Sequence, residues 1–156
     1  MEGYSIVPFS CEHIEKAAEI ERETFSEPWS SEAMLLLCTP EYPSIALIDG
    51  DGQCVGYVSS IKALDELEII NVAVERSHRG KGLGNMLMQG FDALCRELDI
   101  ALASLEVRES NSAAISLYEK YGYTVMGKRK AFYRAPVEDA LIMIKNCREA
   151  YKERTV

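Results

Sequence analysis

Arg79-Gly80-Lys81-Gly82-Leu83-Gly84, R-G-K-G-L-G, sets three glycines at alternate positions beside two cations. Glycine costs about 1 kcal/mol against alanine inside a helix and weakens a strand. Three within five residues therefore predict a backbone that approaches a ligand closely. The following stretch, N-M-L-M-Q-G-F-D-A-L-C-R-E-L, continues from Leu83 with Leu87, Phe91, Leu94 and Leu98, which mark one face of an α-helix. The glycines thus sit at a helix N-terminus. Unpaired N–H groups and the positive end of the macrodipole favour an anion there, and Arg79 and Lys81 add full charges. A phosphate is the first ligand to expect.

Two common phosphate loops fit this stretch poorly. A P-loop needs G-x-x-x-x-G-K-[ST], but Gly82 follows Lys81, so no hydroxyl is available for magnesium. The dinucleotide fingerprint G-x-G-x-x-G matches Gly80 and Gly82, and Glu106 lies roughly 20 residues on, where a ribose-binding acid would stand. Its third glycine is Asn85, however, and the chain is too short to house a nicotinamide domain and a substrate domain together.

The chain has 156 residues, 47% hydrophobic and 27% charged, which suits a single domain over 1–156 with a sizeable core. Its apolar runs are short, such as Met34 to Cys38, and M-E-G-Y-S-I-V-P-F-S lacks a charged start followed by an apolar core. The expectation is no membrane span, no secretory signal and a cytoplasmic location. Five widely spaced cysteines without a C-x-x-C pair fit neither a disulfide framework nor a zinc site, and two distant histidines suggest no metal centre.

The net charge of −8 is unevenly spread. Met1 to Glu75 holds 15 acidic and 3 basic residues, and Arg76 to Val156 holds 10 acidic and 14 basic, so the halves carry −12 and +4. Either the second half holds an anionic cofactor while the first faces a cationic substrate, or acidic helices simply keep the protein soluble. No basic stripe interleaved with aromatics points to nucleic acid.

The pattern along the chain predicts β-α-α-β-β-β-α-β-α-β-β. Y-S-I-V-P-F reads as a strand, and Ser10 then caps a helix carrying Ile14, Ala17, Ala18 and Glu21 to Phe25 on one stripe. A short helix should follow P-W-S-S. Asp49 to Gly52, D-G-D-G, turns a hairpin between S-I-A-L-I and Q-C-V-G-Y-V-S-S-I, with E-I-I-N-V-A-V as the next strand. After the glycine loop come a strand A-L-A-S-L-E-V, a helix from about Asn111 to Tyr121, the strands Y-T-V-M-G-K-R-K-A-F-Y and E-D-A-L-I-M-I-K, and a polar tail over 147–156. The class is mixed α/β.

The pattern R-x-x-G-x-G after a strand and before a helix resembles the pyrophosphate loop of the GNAT N-acetyltransferases. The resemblance continues through N-x-x-A-x-x-L-Y-x-x-x-G-Y, Asn111 to Tyr123. E-P-W-S-S at Glu27 to Ser31 and E-D-A-L-I-M at Glu138 to Met143 further resemble the RimI-type branch, which acetylates the N-terminal alanine of a ribosomal protein. The resemblance implies a central, mostly antiparallel sheet of about seven strands flanked by about four helices. It also implies acetyl-CoA as co-substrate without metal, and a protein N-terminus, of a small-subunit ribosomal protein, as acceptor. A polyamine or aminoglycoside acceptor and a non-catalytic acyl-CoA sensor are the alternatives.

By the same resemblance, Arg79, Gly80, Lys81, Gly82, Leu83, Gly84 and Asn85 hold the pyrophosphate, while Val72, Ala73 and Val74 pair with the pantetheine arm as an added strand would. Asn111 suits that arm too, though N-S-A-A equally makes it a helix cap. Tyr118, two turns beyond Asn111 on nearly the same face, is the general acid that protonates the departing thiolate; by spacing alone it is a core tyrosine with Ala114, Leu117 and Tyr121.

The same resemblance makes Glu106 the general base. In A-L-A-S-L-E-V-R alternation sends Ser104, Glu106 and Arg108 to one face, where Glu106 could merely pair with Arg108. At pH 7 an α-amine of pKa near 8 needs about 1.4 kcal/mol to lose its proton, and a lysine near 10.4 about 4.6 kcal/mol. One carboxylate, direct or through water, suffices for the former. Glu68, beside the cofactor strand, is the second candidate, and Trp29, Phe132 and Tyr133 are candidates to grip the acceptor or else plain packing residues.

Overall fold

The computed structural model describes residues 2–154. Its strands are β1 (Ser5–Pro8), β2 (Ile45–Ile48), β3 (Cys54–Ala63), β4 (Glu66–Val74), β5 (Leu102–Arg108), β6 (Thr124–Arg134) and β7 (Val137–Asn146), and its α-helices are α1 (Ile14–Thr24), α2 (Leu83–Glu97), α3 (Ser112–Lys120) and α4 (Cys147–Arg154). The second expected helix is a 3-10 segment, Ala33–Cys38. Short 3-10 turns also precede α1 and α2. The stretch expected as a polar tail contains α4, whose first residue, Cys147, is buried.

One sheet of order β1-β2-β3-β4-β5-β7-β6 joins all the strands, antiparallel except for β4 with β5. Asp49 closes the β2–β3 turn by accepting at Oδ1 from the N–H groups of Asp51 and Gln53, both at 2.9 Å. The face under α2 and α3 is built on Leu47, Val58, Leu67, Leu87, Phe91 and Leu105, and the opposite face packs Ala46 and Tyr57 against Ala17, Ala18 and Ile20 of α1 and Met34 of the 3-10 segment. Ser10 starts the first helical segment as expected, and its N–H donates to Nδ1 of His13 at 3.0 Å.

The stripe on α2 is wider than leucine spacing suggests. Leu83, Leu87 and Phe91 are buried, but so are Met88, Asp92 and Cys95, while Leu94 and Leu98 only flank the core. Asp92 tolerates burial because Lys145 of β7 donates to it at 2.8 Å.

Two departures from ideal pairing shape the site. The β3–β4 register steps from Ser59 opposite Asn71 to Ser60 opposite Ile69, so Ile70 is an extra residue, a β-bulge. A bulge exchanges the faces of everything beyond it. Leu67 and Ile69 therefore share the α2 face with Val72 and Val74, whereas Asn71 and Ala73 turn toward α1. The second departure is that β5 pairs with β4 only from Glu66 to Glu68. Beyond that point the two strands separate.

Candidate active site

The separation of β4 from β5 opens a cavity of about 610 Å³. Its floor is Glu68, Asn71 and Val72 of β4 with Glu106 and Arg108 of β5, and Asn111 and Tyr118 line it from the α3 side. One wall is the loop after α1, with Ser26, Glu27 and Trp29, and the other is the β6–β7 turn, with Phe132, Tyr133, Ala135 and Pro136. Eight of the residues singled out from sequence thus line one space. A smaller depression of about 120 Å³ lies where Val74, Arg79, Gly80, Gly82, Leu83 and Gly84 meet at the start of α2. Ala73 faces away, buried under α1.

The glycine loop owes its shape to backbone conformation. Gly80 and Gly82 both have φ of +78°, and a Cβ built on either would meet nothing within 4 Å. Glycine is required there by the left-handed backbone rather than by crowding from the protein. Leu83 then begins α2, whose first N–H groups have no partner within the helix. The two loop cations behave differently. Arg79 turns back, donating from Nε to the Val74 carbonyl at 2.8 Å and from Nη2 to the Thr24 hydroxyl at 3.2 Å, while Lys81 is exposed. Asn85, at the position of the third fingerprint glycine, ties α2 to α3 by accepting at Oδ1 from Lys120 Nζ at 2.7 Å and from Tyr121 OH at 3.1 Å.

Alternation along β5 holds as expected, with Ala103, Leu105 and Val107 buried and Glu106 on the cavity side. Its ion pair is not with Arg108, the partner that the alternative reading offered. Glu106 pairs with Arg129 of β6, Nε to Oε1 at 3.2 Å, and Arg108 is engaged elsewhere. The reason is sheet order: β6 lies beyond β7, and its long arginine reaches back across that strand. Burial pushes the Glu106 carboxyl above its ordinary range, the Arg129 charge pulls it down, and the neighbouring Glu68 charge pushes it up.

Arg108 joins the two walls. Its Nη1 donates to the Pro136 carbonyl at 3.0 Å and to Glu138 at 3.3 Å, and its Nη2 to Ser26 Oγ at 3.2 Å and the Ala135 carbonyl at 3.3 Å. Its guanidinium also lies over the Tyr133 ring, 4.3 Å from the centroid. Burial, then the Glu106 charge, pushes the Tyr133 phenol up to about 12.

Tyr118 is both a core residue and a cavity residue. Only 8% exposed, it packs edge-on to Tyr123 with ring centroids 6.1 Å apart. Burial pushes its phenol well above 10, so it keeps its proton throughout the neutral range. Asn111 likewise combines both readings. It caps α3, accepting at Oδ1 from Ala114 N–H at 3.2 Å, and lines the cavity. Trp29 packs edge-on to Tyr42 at 6.3 Å and also lines the cavity.

Sequence reading missed Asn71 and Glu21. Behind the Trp29 wall, Glu21 of α1 is 1% exposed and accepts from Trp29 N–H and Asn71 Nδ2, each at 2.9 Å, and from the Tyr57 hydroxyl. The available signal was a glutamate on an otherwise apolar helix stripe. Among the described residues no cluster of three or more His, Cys, Asp or Glu side chains is gathered to hold a metal.

The sequence matches the acetyltransferase (GNAT) family over residues 14–123. The chain belongs to that family. A Bacillus subtilis (strain 168) relative is 39% identical over 85% of this chain and 88% of its own. It bears provisionally the name that a Haemophilus influenzae relative carries outright, ribosomal protein bS18-alanine N-acetyltransferase; the latter is 33% identical over 83% of this chain and 89% of its own. The fold is similar to the crystal structure of the Escherichia coli ribosomal-protein-S18-alanine N-acetyltransferase, with a TM-score of 0.85, 28% identity, and coverage of 92% of this chain and 94% of that one. The matched GNAT region includes the glycine loop, Glu106, Asn111, Tyr118 and the Trp29 wall, but stops before Phe132 and Tyr133. The second wall therefore lies outside the GNAT match.

Proposed function

We propose that this GNAT protein transfers acetyl from acetyl-CoA to the α-amine at the N-terminus of a protein, most simply a small-subunit ribosomal protein that begins with alanine. The observation that carries the reading is the facing of Glu106 and Tyr118 into one cavity with a wall on either side. The names of the relatives support the choice of acceptor.

The residues present fit acetyl-CoA, which supplies the activated acyl group when bound. Gly80 and Gly82 leave open space before the α2 N-terminus, suited to a pyrophosphate held by backbone N–H groups. Beyond Glu68, the edge of β4 that faces β5 is outside their ladder, so the peptide groups of Val72 to Val74 can bind an extended arm with two amides in the manner of strand addition. Asn111 stands on the same side of the cavity.

The acceptor amine attacks only when neutral. Glu106, ionised and held by Arg129, takes the ammonium proton directly or through water, with Glu68 beside it adding negative potential. Tyr118 supplies the proton that the leaving sulfur needs, and its burial ensures that the phenol is protonated. Trp29 on one wall and Phe132 with Tyr133 on the other grip the first residues of the acceptor.

Incubation with acetyl-CoA and a panel of alanine-starting peptides, internal-lysine peptides, polyamines and aminoglycosides, with products read by mass, tests this reading. The expected product is a peptide acetylated at its α-amine. Preferential acetylation of lysine side chains or small amines replaces it with the small-molecule reading, and no transfer to any acceptor despite acetyl-CoA binding leaves a sensor.

A further inference from the structure

Glu21 occupies a position where packing alone would accept leucine. It is buried on α1 together with Ala17, Ala18 and Ile20, is 1% exposed, and is absent from the lining of the cavity. Three donors converge on it: the Trp29 N–H and the Asn71 amide at Oε2, and the Tyr57 hydroxyl at Oε1. Each belongs to a different element, namely the loop after α1, β4 just past its bulge, and β3. Burial pushes the carboxyl above its ordinary range, and all three hydrogen bonds favour its ionised form. An apolar side chain would fill the volume but leave the Trp29 N–H and the Asn71 amide without their acceptor.

Both Trp29 and Asn71 line the cavity, one on the wall and the other on the floor. We propose that Glu21 is a positioning residue for the acceptor, a clamp that fixes the Glu27–Ser31 loop to β4 and so sets the width of the groove that receives the peptide N-terminus. This rests on the proposed function for its substrate, but the position of the loop can be measured without one. The bulge at Ile70 is part of the same device, since without it Asn71 would face α2 and could not reach Glu21.

Glu21→Leu removes the acceptor, and Glu21→Asp keeps the charge but is one methylene too short to hold Trp29 and Asn71 together. Either should raise the KM for an alanine-starting peptide about tenfold, the scale of one lost buried hydrogen bond, with kcat and the KM for acetyl-CoA near wild type. Glu21→Gln, whose amide oxygen can still accept from both donors, should restore most of the peptide KM. Trp29 is the sole tryptophan of the chain, so its emission reports the loop directly. It should shift to the red and quench more readily in the Asp and Leu variants, and stay unchanged in Tyr57→Phe, which removes the donor to Oε1 and leaves both bonds to Oε2 in place. If Glu21→Leu fails to fold, Glu21→Asp decides. A fall in melting temperature with Trp29 emission and peptide KM unchanged overturns the proposal, as does a parallel rise in both KM values. If the wild-type protein acetylates no peptide, the functional reading fails, and the Trp29 signal alone then supports or overturns the clamp.

Discussion

Arg129 Nε lies 3.2 Å from Glu106 Oε1, so the carboxylate proposed as base is held by a cation from a strand two places away in the sheet. Glu106 keeps 15% of its side-chain surface exposed and Arg129 keeps 59%, so the pair is partly open to solvent. Arg129 lowers the Glu106 pKa against the upward push of burial and of Glu68. Removing it therefore raises that pKa. Glu106 acts as a base only above its pKa, so the acid limb of kcat/KM should move to higher pH in Arg129→Gln, with the loss greatest near pH 6 and small near pH 9. The α-amine of the peptide titrates identically in both proteins, so the difference between their pH profiles isolates the enzyme group. Coincident acid limbs would remove Glu106 from the role of base.

Tyr118→Phe keeps the edge-on contact with Tyr123 and deletes only the hydroxyl. Turnover should fall by about 10² with little change in acetyl-CoA affinity, because a proton donor to the departing sulfur acts in the transition state and not in the ground state. Steady-state kinetics and calorimetry on the same preparation check both halves. Wild-type turnover would return Tyr118 to a purely packing role.

Gly82 should fail on substitution for a local reason. At φ of +78° an alanine strains the backbone by about 1 kcal/mol, although its Cβ meets no protein atom within 4 Å. Gly82→Ala should weaken acetyl-CoA binding moderately, and Gly82→Asp should abolish it by adding bulk and negative charge before the pyrophosphate. Circular dichroism should be unchanged in both. Calorimetric affinity equal to wild type in Gly82→Asp would move the phosphate site elsewhere.

How much of this was legible depended on whether the signal was local. The glycine loop, the D-G-D-G turn and the alternation on β5 are set within a few residues, and each lies where the sequence puts it. The partner of Glu106 was not legible, because nothing within β5 says that β7 inserts between β5 and β6, or that Arg129 reaches across it. The bulge at Ile70 was hidden too, since E-I-I-N-V-A-V alternates acceptably without one. Glu21 was visible as an anomaly on an apolar stripe, but its three donors come from elsewhere in the chain.

The Lys145–Asp92 pair, 2.8 Å apart with both side chains 8% exposed, offers a test away from the site. Asp92→Ala leaves a buried ammonium without that carboxylate and should destabilise the fold by about 3–5 kcal/mol. Urea denaturation should show the loss in midpoint. Peptide and acetyl-CoA KM values measured well below that midpoint should be unaltered, since neither residue lines the cavity.

The acceptor itself can be tested through charge. Residues 1–75 carry −12, and the cavity they help to wall includes Glu27 and Glu68 beside Glu106. A basic ribosomal N-terminus is drawn to such a surface through solvent, and that attraction is screened beyond about 8 Å at physiological ionic strength. The part proposed to be made at contact, by Trp29, Phe132 and Tyr133, rests on aromatic side chains and is far less sensitive to salt. kcat/KM for a basic alanine-starting peptide should therefore fall as sodium chloride rises from 20 to about 300 mM, while a neutral peptide with the same first residues should change little. Kinetics on the matched pair separate the two contributions. Equal salt dependence for both peptides would assign the acidic half to solubility alone, and a faster rate on the neutral peptide at every ionic strength would exclude a basic ribosomal chain as the preferred acceptor.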